Sequence, residues 1–170
     1  MIASIISLAA LLAGQPSGAV VQTDAGVAVF GKACLSSLPV ERAALASLAQ
    51  SEGWTPLRAA TPQDQEWRDV YRSGAYVIHL DQHKATDEGA GERICVVALS
   101  TAPAGWKDQI GALQANGSPV GAPQPYDTAV YQLPPGLELT MWALPDGSRI
   151  HALREPDNAL ELSINYPTGR

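Results

Sequence analysis

Apolar and polar side chains alternate most regularly near the end of the chain, over residues 160–166. A period of two places the two kinds on opposite faces of a β-strand. Three further strands are predicted at 127–133, 137–144 and 149–154, because runs of β-forming residues there are separated by turns rich in Pro, Gly and Asp. We expect the four strands to form an antiparallel meander with one apolar and one polar face.

Two more strands are predicted in the middle of the chain, at 75–80 and 93–99, and these two could pair as a hairpin. The second contains an uninterrupted apolar run at residues 94–99, which favours a central position with both faces covered. Polar residues 81–91 link the two strands, and residues 116–125, rich in Pro and Gly, predict a loop.

Three segments have helical character. The first is capped by Ser36 or Ser37, has Pro39 in its first turn and ends at Gly53; its apolar stripe consists of Val40, Ala44, Leu45 and Leu48. A shorter helix is predicted at 61–67 and a third at 106–113. Since a sheet needs a layer over its apolar face, the predicted fold class is α+β, an antiparallel sheet with a C-terminal four-strand meander, covered on one face by two or three helices.

The beginning of the chain has the order of a secretory signal peptide. An apolar stretch at residues 2–13 is broken by Gly14, Gln15 and Pro16, and small residues follow at 17–19, where a signal peptidase would cleave. We therefore predict a signal peptide at 1–19 and a single compact α+β domain at 20–170. No Lys or Arg precedes the apolar stretch, and the alternative interpretation is a buried N-terminal helix or strand of a cytosolic protein.

Composition narrows the classes of partner. The chain has 170 residues, a length that suits one domain of ordinary size. Its formal net charge is −6. Lys and Arg are scattered, so no basic run could follow a phosphate backbone, and nucleic acid is not an expected partner. The apolar stretch at residues 2–13 is too short to cross a bilayer, and no integral membrane segment is predicted in the mature chain.

The two cysteines, Cys34 and Cys95, are predicted to form a disulfide. An even number of cysteines fits a chain exported to an oxidising compartment. The alternative is a pair of buried free thiols. A catalytic thiol is not indicated, because neither cysteine has a residue near it in the sequence that would activate it.

His79, Asp81 and His83 form an H-x-D-x-H run at the end of a predicted strand. At a period of two, the three side chains could share one face, which is one way to build a small metal site. A fourth ligand is not evident, since the remaining histidine is the distant His151. The alternative interpretation is a solvated strand end that leads into a polar loop.

Four tryptophans also allow two interpretations. They could line an apolar pocket for a ligand, or they could pack helices on the sheet as core residues; they are Trp54, Trp67, Trp106 and Trp142. No glycine-rich phosphate loop follows a predicted strand, and no serine has the context of a nucleophile elbow. The sequence therefore predicts no catalytic residue and no cofactor.

One segment resembles a known group of proteins. It combines Phe-x-x-x-Cys, here Phe30 and Cys34, with an Ala-rich helix at residues 40–50 and the pair Gly53-Trp54. This pattern resembles that of a loose group of small exported proteobacterial proteins of unknown function. The resemblance implies export, a bacterial envelope setting and a Cys34–Cys95 pair, and it implies no catalytic residues.

The functional hypothesis is a periplasmic or secreted protein, non-enzymatic, that binds a partner protein or a small ligand through the sheet face or the loops. We favour this hypothesis because the sequence predicts a complete fold but no set of catalytic residues. The alternative is a metal-dependent or other hydrolase that uses His79, Asp81 and His83.

Overall fold

The structure is a computed structural model, and it describes residues 23–58, 66–83, 91–124 and 133–167. These residues form one seven-stranded antiparallel sheet with three α-helices. The predicted α+β class and the predicted antiparallel sheet are confirmed. No helix in these ranges is both long and apolar enough to cross a membrane.

The helices lie in the N-terminal part and in the middle of the chain. Helix α1 spans Ala25–Phe30 and continues into a π-helical turn, Gly31–Leu35; α2 spans Arg42–Ser51 and α3 spans Trp106–Ala112. Helix α1 begins where the Asp24 carboxylate accepts a hydrogen bond from the Gly26 N–H. Helix α2 ends before Gly53, which adopts a φ of +69° that suits glycine.

The strands are β1 (Thr55–Arg58), β2 (Trp67–Ser73), β3 (Tyr76–His83), β4 (Glu92–Leu99), β7 (Glu138–Ala143), β8 (Arg149–Arg154) and β9 (Leu160–Pro167), with a separate small hairpin of β5 (Gln114–Ala115) and β6 (Ser118–Pro119). The order in the sheet is β1-β2-β3-β4-β9-β8-β7. Strand β4 is therefore the middle strand, and it joins an N-terminal half of the sheet to a C-terminal half.

Several predicted elements are confirmed. Strands β3 and β4 pair as a hairpin, and β7, β8 and β9 pair in series as three strands of the predicted meander. The fourth predicted strand of that meander, at 127–133, falls almost wholly outside the described residues. Helix α3 matches its prediction to within one residue.

Other predictions need correction. The helix predicted at 61–67 lies mostly outside the described residues, but its last residue, Trp67, begins strand β2 instead. Helix α2 begins at Arg42 rather than near Pro39, since Glu41 still has an extended backbone. The predicted loop at 116–125 contains strand β6, because Asn116 and Gly117 form the turn of a small hairpin.

A single hydrophobic core lies between the sheet and the helices. The side chains that point from the central strands into the core include Ile78, Leu80, Val97, Leu162 and Ile164, all fully buried. The helices contribute Val27, Phe30, Leu45 and Ile110. The helices therefore cover one face of the sheet, as the apolar side of the alternating pattern required.

The predicted disulfide is present and connects the helical layer to the sheet. Cys34 in the π-helical turn is bonded to Cys95 in β4, and both residues are fully buried. Next to it, the Tyr166 hydroxyl donates a 2.6 Å hydrogen bond to the Cys34 carbonyl. Burial, with a smaller contribution from Asp146, raises the pKa of Tyr166 well above its usual value, so the hydroxyl keeps its proton.

Candidate ligand-binding face

The second face of the sheet, which we call the open face, carries the side chains that alternate with the core residues. Its apolar residues are only half-buried, and none of them belongs to the core. A groove of about 430 Å³ lies on this face. It is lined by Arg68, His79, Asp81, His83, Ile94, Val96, Ala98, His151, Glu161, Ser163 and Asn165.

Strand β4 supplies the apolar floor of the groove. Ile94, Val96 and Ala98 alternate with core residues along the strand and are half-buried. The predicted central position of this strand is confirmed, but the expectation that both its faces would be covered holds only for the face in the core. Ile94 and Val96 are each flanked by polar side chains from β3 and β9.

The structure places His79, Asp81 and His83 on one face of β3, as the period-two pattern indicated. Asp81 is almost fully buried, whereas His83 is exposed. Both oxygens of the Asp81 carboxylate accept hydrogen bonds from the Arg68 guanidinium, at 2.8 and 2.7 Å. The same hydrogen bonds raise the pKa of Arg68. Both oxygens of this carboxylate are thus already occupied by Arg68 on the neighbouring strand β2.

The histidines are too far apart to share one ion. His79 and His151 lie in the same cross-strand row, with Val96 and Ser163 between them. Three strand spacings separate their backbones by about 14 Å. Within the part of the chain that the structure describes, no three side chains of His, Cys, Asp and Glu are grouped so that they could hold a metal ion.

His151 is the histidine with the most structured surroundings. It pairs across the strands with Ser163, and the side chain of Asn165 interacts with its ring. The Asn165 amide nitrogen donates to the Glu92 carboxylate at 3.3 Å, which leaves the amide oxygen available to accept from an N–H of the imidazole ring.

Burial lowers the pKa of His151, and Arg149 acts in the same direction. The hydrogen bond with Asn165 and the charge of Glu92 act against this shift. The net effect favours the neutral imidazole at neutral pH. A neutral imidazole has one nitrogen that can accept a hydrogen bond from a ligand.

The charges on the open face differ from those elsewhere in the molecule. Outside this face, every described Lys and Arg is in an ion pair: Lys32, Arg42, Arg93, Lys107 and Arg154. By register, the open face carries Arg58, Arg72 and Arg149, which are exposed and have no ion pair among the described residues. Among the described residues, the basic side chains without an ion pair therefore all lie on this face.

The sequence indicated only part of this site. Ser163, Asn165 and Glu161 were recognisable as the polar side of the alternating segment, although no ligand role could be assigned to them. The contributions of Arg68 and His151 depend on which strands are neighbours, and that order is set by long-range pairing.

The tryptophans do not line this groove. Trp54, Trp106 and Trp142 are buried in the core, and Trp106 packs edge-on against Trp142 with ring centroids 6.2 Å apart. Trp67 is half-buried and packs against the core, with the guanidinium carbons of Arg42 and Arg93 at 4.8 and 5.8 Å from its ring centroid. The core interpretation is therefore confirmed for three of the four indoles, and Trp67 lies at the edge of the core.

Comparison of the chain with protein-family models, with curated proteins and with solved structures finds no match.

Proposed function

We propose that this chain is an exported, periplasmic or secreted protein that binds its ligand or partner on the open face of the sheet and does not act as an enzyme. The observation that carries the proposal is the asymmetry of the sheet. Its first face is sealed by helices, while its second face has a groove with an apolar floor and polar walls. Pockets for small molecules commonly combine these two kinds of surface.

The disulfide supports the export part of the proposal. A fully buried disulfide is typical of proteins from oxidising compartments and rare in the bacterial cytosol. The apolar N-terminal stretch, followed by small residues, supports the same conclusion, as does the resemblance to small exported proteobacterial proteins. N-terminal sequencing of protein recovered from the periplasm or the medium should find a mature chain that begins near Val20.

The geometry of the histidine run supports binding over catalysis. A carboxylate that acts as a general base or as a metal ligand must be free to accept a proton or a metal ion. The Asp81 carboxylate instead has both its oxygens hydrogen-bonded to Arg68. Removing Arg68 would have to precede any such chemistry at this position.

Site-specific photo-crosslinking tests the binding proposal. A benzoylphenylalanine in place of Ser163, in the middle of the open face, should form a discrete adduct in cells that export the protein. The same residue in place of Ala46, which is exposed on helix α2, is the matched control and should form none. Intact-mass spectrometry reports the mass of the adduct, so that small ligands and proteins are both detected.

A substitution in the groove provides a further test of binding on the open face. A Val96→Arg substitution, which fills the floor of the groove, should abolish the adduct at position 163 while the protein stays folded by circular dichroism. The proposal is wrong if position 163 gives no adduct, or if positions 163 and 46 give the same adducts.

A further inference from the structure

We propose that the open face is the contact surface of a symmetric homodimer, in which a second copy of this chain packs its own open face against the first. This inference rests on the proposed function, because it assumes that binding takes place on the open face. It adds the identity of the partner and the orientation in which the two sheets meet.

The apolar side chains of the open face extend well beyond the groove. A second apolar column lies on β7, where Leu139, Met141 and Ala143 alternate with core residues. Val77 on β3 and Leu153 on β8 add to this surface. None of these five side chains belongs to the core or packs against it. An apolar surface spread over most of a sheet is typical of a contact with another protein.

The size of the open face matches that of a protein interface. Its six longer strands, at about 4.8 Å each, and its three cross-strand rows, at about 6.6 Å each, give roughly 600 Å². Two copies would together bury about 1,200 Å², which is the lower end of the range for specific, stable interfaces. A ligand that filled only the groove would leave the apolar column of β7 uncovered.

The twofold axis that suits this face lies along the central cross-strand row, which contains Val96, Ser163 and His151. Rotation about this axis reverses the strand direction and sets each apolar column on its own copy, β4 on β4 and β7 on β7. The larger Ile94 of one copy then lies on the smaller Ala98 of the other. Twofold symmetry is the commonest arrangement of homodimers, and it makes each such contact twice.

The same axis brings two unpaired charges together. Arg149 on β8 and Glu161 on β9 are exposed, and neither has an ion pair among the described residues. Within one chain they lie at opposite ends of the open face, about 13 Å apart, because Arg149 pairs with Asn165. Reversal of the strand direction places Arg149 of one copy beside Glu161 of the other. Such opposite charges fix the register of an interface and its choice of partner.

The other charges of the open face do not oppose this contact. Near the edge of the sheet, Arg72 of one copy would approach Arg68 of the other, whose charge is compensated by the Asp81 carboxylate. The central row, around Val96 and Ser163, contains no Arg, Lys, Asp or Glu among its described residues. Depletion of charge at the centre and polar groups at the rim are the usual anatomy of an interface.

Charge reversal tests the orientation of the two copies. We expect the mature protein to dimerise with a Kd in the micromolar range in sedimentation velocity. Arg149→Glu and Glu161→Arg each place like charges together twice, so each should weaken dimerisation at least about tenfold. The double variant restores attractive pairs and should regain most of the lost affinity. Ala46→Glu, on the exposed side of α2, is the control and should change nothing.

The double variant is informative because positions 149 and 161 are too far apart to pair within one chain. A rescue therefore reports a contact between copies, and circular dichroism confirms that each variant is folded. A filtered nuclear Overhauser experiment on a mixture of isotopically labelled and unlabelled protein provides a second measurement. We expect methyl cross-peaks between Ile94 of one copy and Ala98 of the other, and between Val96 and its own copy.

The outcomes distinguish this inference from the proposed function. A protein that stays monomeric at NMR concentrations, a double variant no better than the single ones, or filtered cross-peaks confined to other surfaces overturns the homodimer. A photo-adduct at position 163 with twice the mass of the mature chain supports it. An adduct of any other mass overturns the homodimer but leaves the open face as the binding surface. No adduct at position 163 contradicts the proposed function as well.

Discussion

At the scale of single residues, Gly26 determines how closely helix α1 approaches the sheet. A Cβ atom at this position would lie 2.6 Å from Leu99 Cδ2 and 2.8 Å from Tyr76 Cε1. Alanine normally stabilises a helix by about 1 kcal/mol relative to glycine. We predict that Gly26→Ala instead destabilises the fold, by about 1–3 kcal/mol, because the helix must move away from β4. Urea denaturation measures the change.

The Leu99→Ala background is the control for this prediction. Truncating Leu99 removes one of the two side chains that a new Cβ would meet. Gly26→Ala should therefore cost less in that background than in the native chain, and the two effects should not be additive. A Gly26→Ala variant as stable as the native chain would show that the contact is not limiting.

His151 should make stability depend on pH. Because burial lowers its pKa, the unfolded chain takes up a proton more readily than the folded chain as the pH falls below the ordinary histidine value of about 6.5. We predict that the free energy of unfolding decreases over this range and that His151→Gln reduces the decrease. Thermal unfolding from about pH 8 to 5 measures both.

Measurements of stability at higher pH provide an internal control for this prediction. Above about pH 7.5 the imidazole is neutral in both states, so the difference in stability between native and variant protein should be constant there. A native chain that becomes more stable on acidification, by an amount that His151→Gln abolishes, would reverse the sign of this argument.

At the scale of elements, one carboxylate connects a helix to two strands. Glu138 on β7 accepts hydrogen bonds from Lys107 on α3 and from Arg154 on β8. The hydrogen bond from Lys107 lowers the pKa of Glu138 most, and that from Arg154 adds to it, while burial opposes the shift. This cluster attaches α3 to the edge of the sheet.

We predict that Glu138→Gln costs about 1 kcal/mol at neutral pH, a modest value because all three side chains are partly exposed. Since the folded pKa is lowered, the stabilisation is present above the ordinary glutamate pKa and disappears as the pH falls through the folded value. Glu155→Gln in an exposed turn should have almost no effect. Equal losses at neutral and strongly acidic pH would contradict the ionic origin.

The elements that the sequence predicted correctly are those whose local pattern is uninterrupted. Strand β4 has a continuous apolar run, and β9 alternates over its whole length. Strand β2 could not be predicted in this way, because Asp69 stands on its core side and interrupts the alternation. Asp69 is buried there and forms an ion pair with Arg42, which compensates its charge. This contact joins residues that are far apart in the sequence.

At the scale of the whole molecule, the disulfide closes a long loop. Cys34 and Cys95 are separated by 61 positions, and a cross-link of that length restricts the unfolded chain by about 4 kcal/mol in the entropic treatment. We predict that reduction lowers the melting temperature by about 10 °C. Calorimetry with and without reductant measures this. Alkylation of two free thiols in native exported protein would contradict it.

Metal removal should have no effect on the same measurement. The described His, Cys, Asp and Glu side chains include no group of three that could hold a metal. We predict that a chelator leaves the melting temperature unchanged and that elemental analysis of the purified protein finds no stoichiometric metal. A decrease with chelator that Zn²⁺ reverses would revive the hydrolase hypothesis.

The candidate site is assembled by pairing between strands that are far apart in the sequence. This limits how much of the site the sequence could predict. The common orientation of His79, Asp81 and His83 follows from local periodicity. The pairing of β4 with β9 brings Ser163 and Asn165 beside Val96 and Ile94, and the pairing of β8 with β9 adds His151. No local pattern specifies these neighbours, because any apolar face could in principle pack beside any other.

The pairing of β4 with β9 also determines when the sheet can be completed. A chain that emerges N-terminus first delivers β1 to β4 long before β9, which ends at residue 167. During that interval, the most apolar strand of the molecule has an unpaired edge, which is a surface prone to aggregation. We therefore expect nascent chains truncated before residue 160 to aggregate or to bind holding chaperones. The tendency to aggregate should fall once β9 has been synthesised and pairs with the free edge of β4.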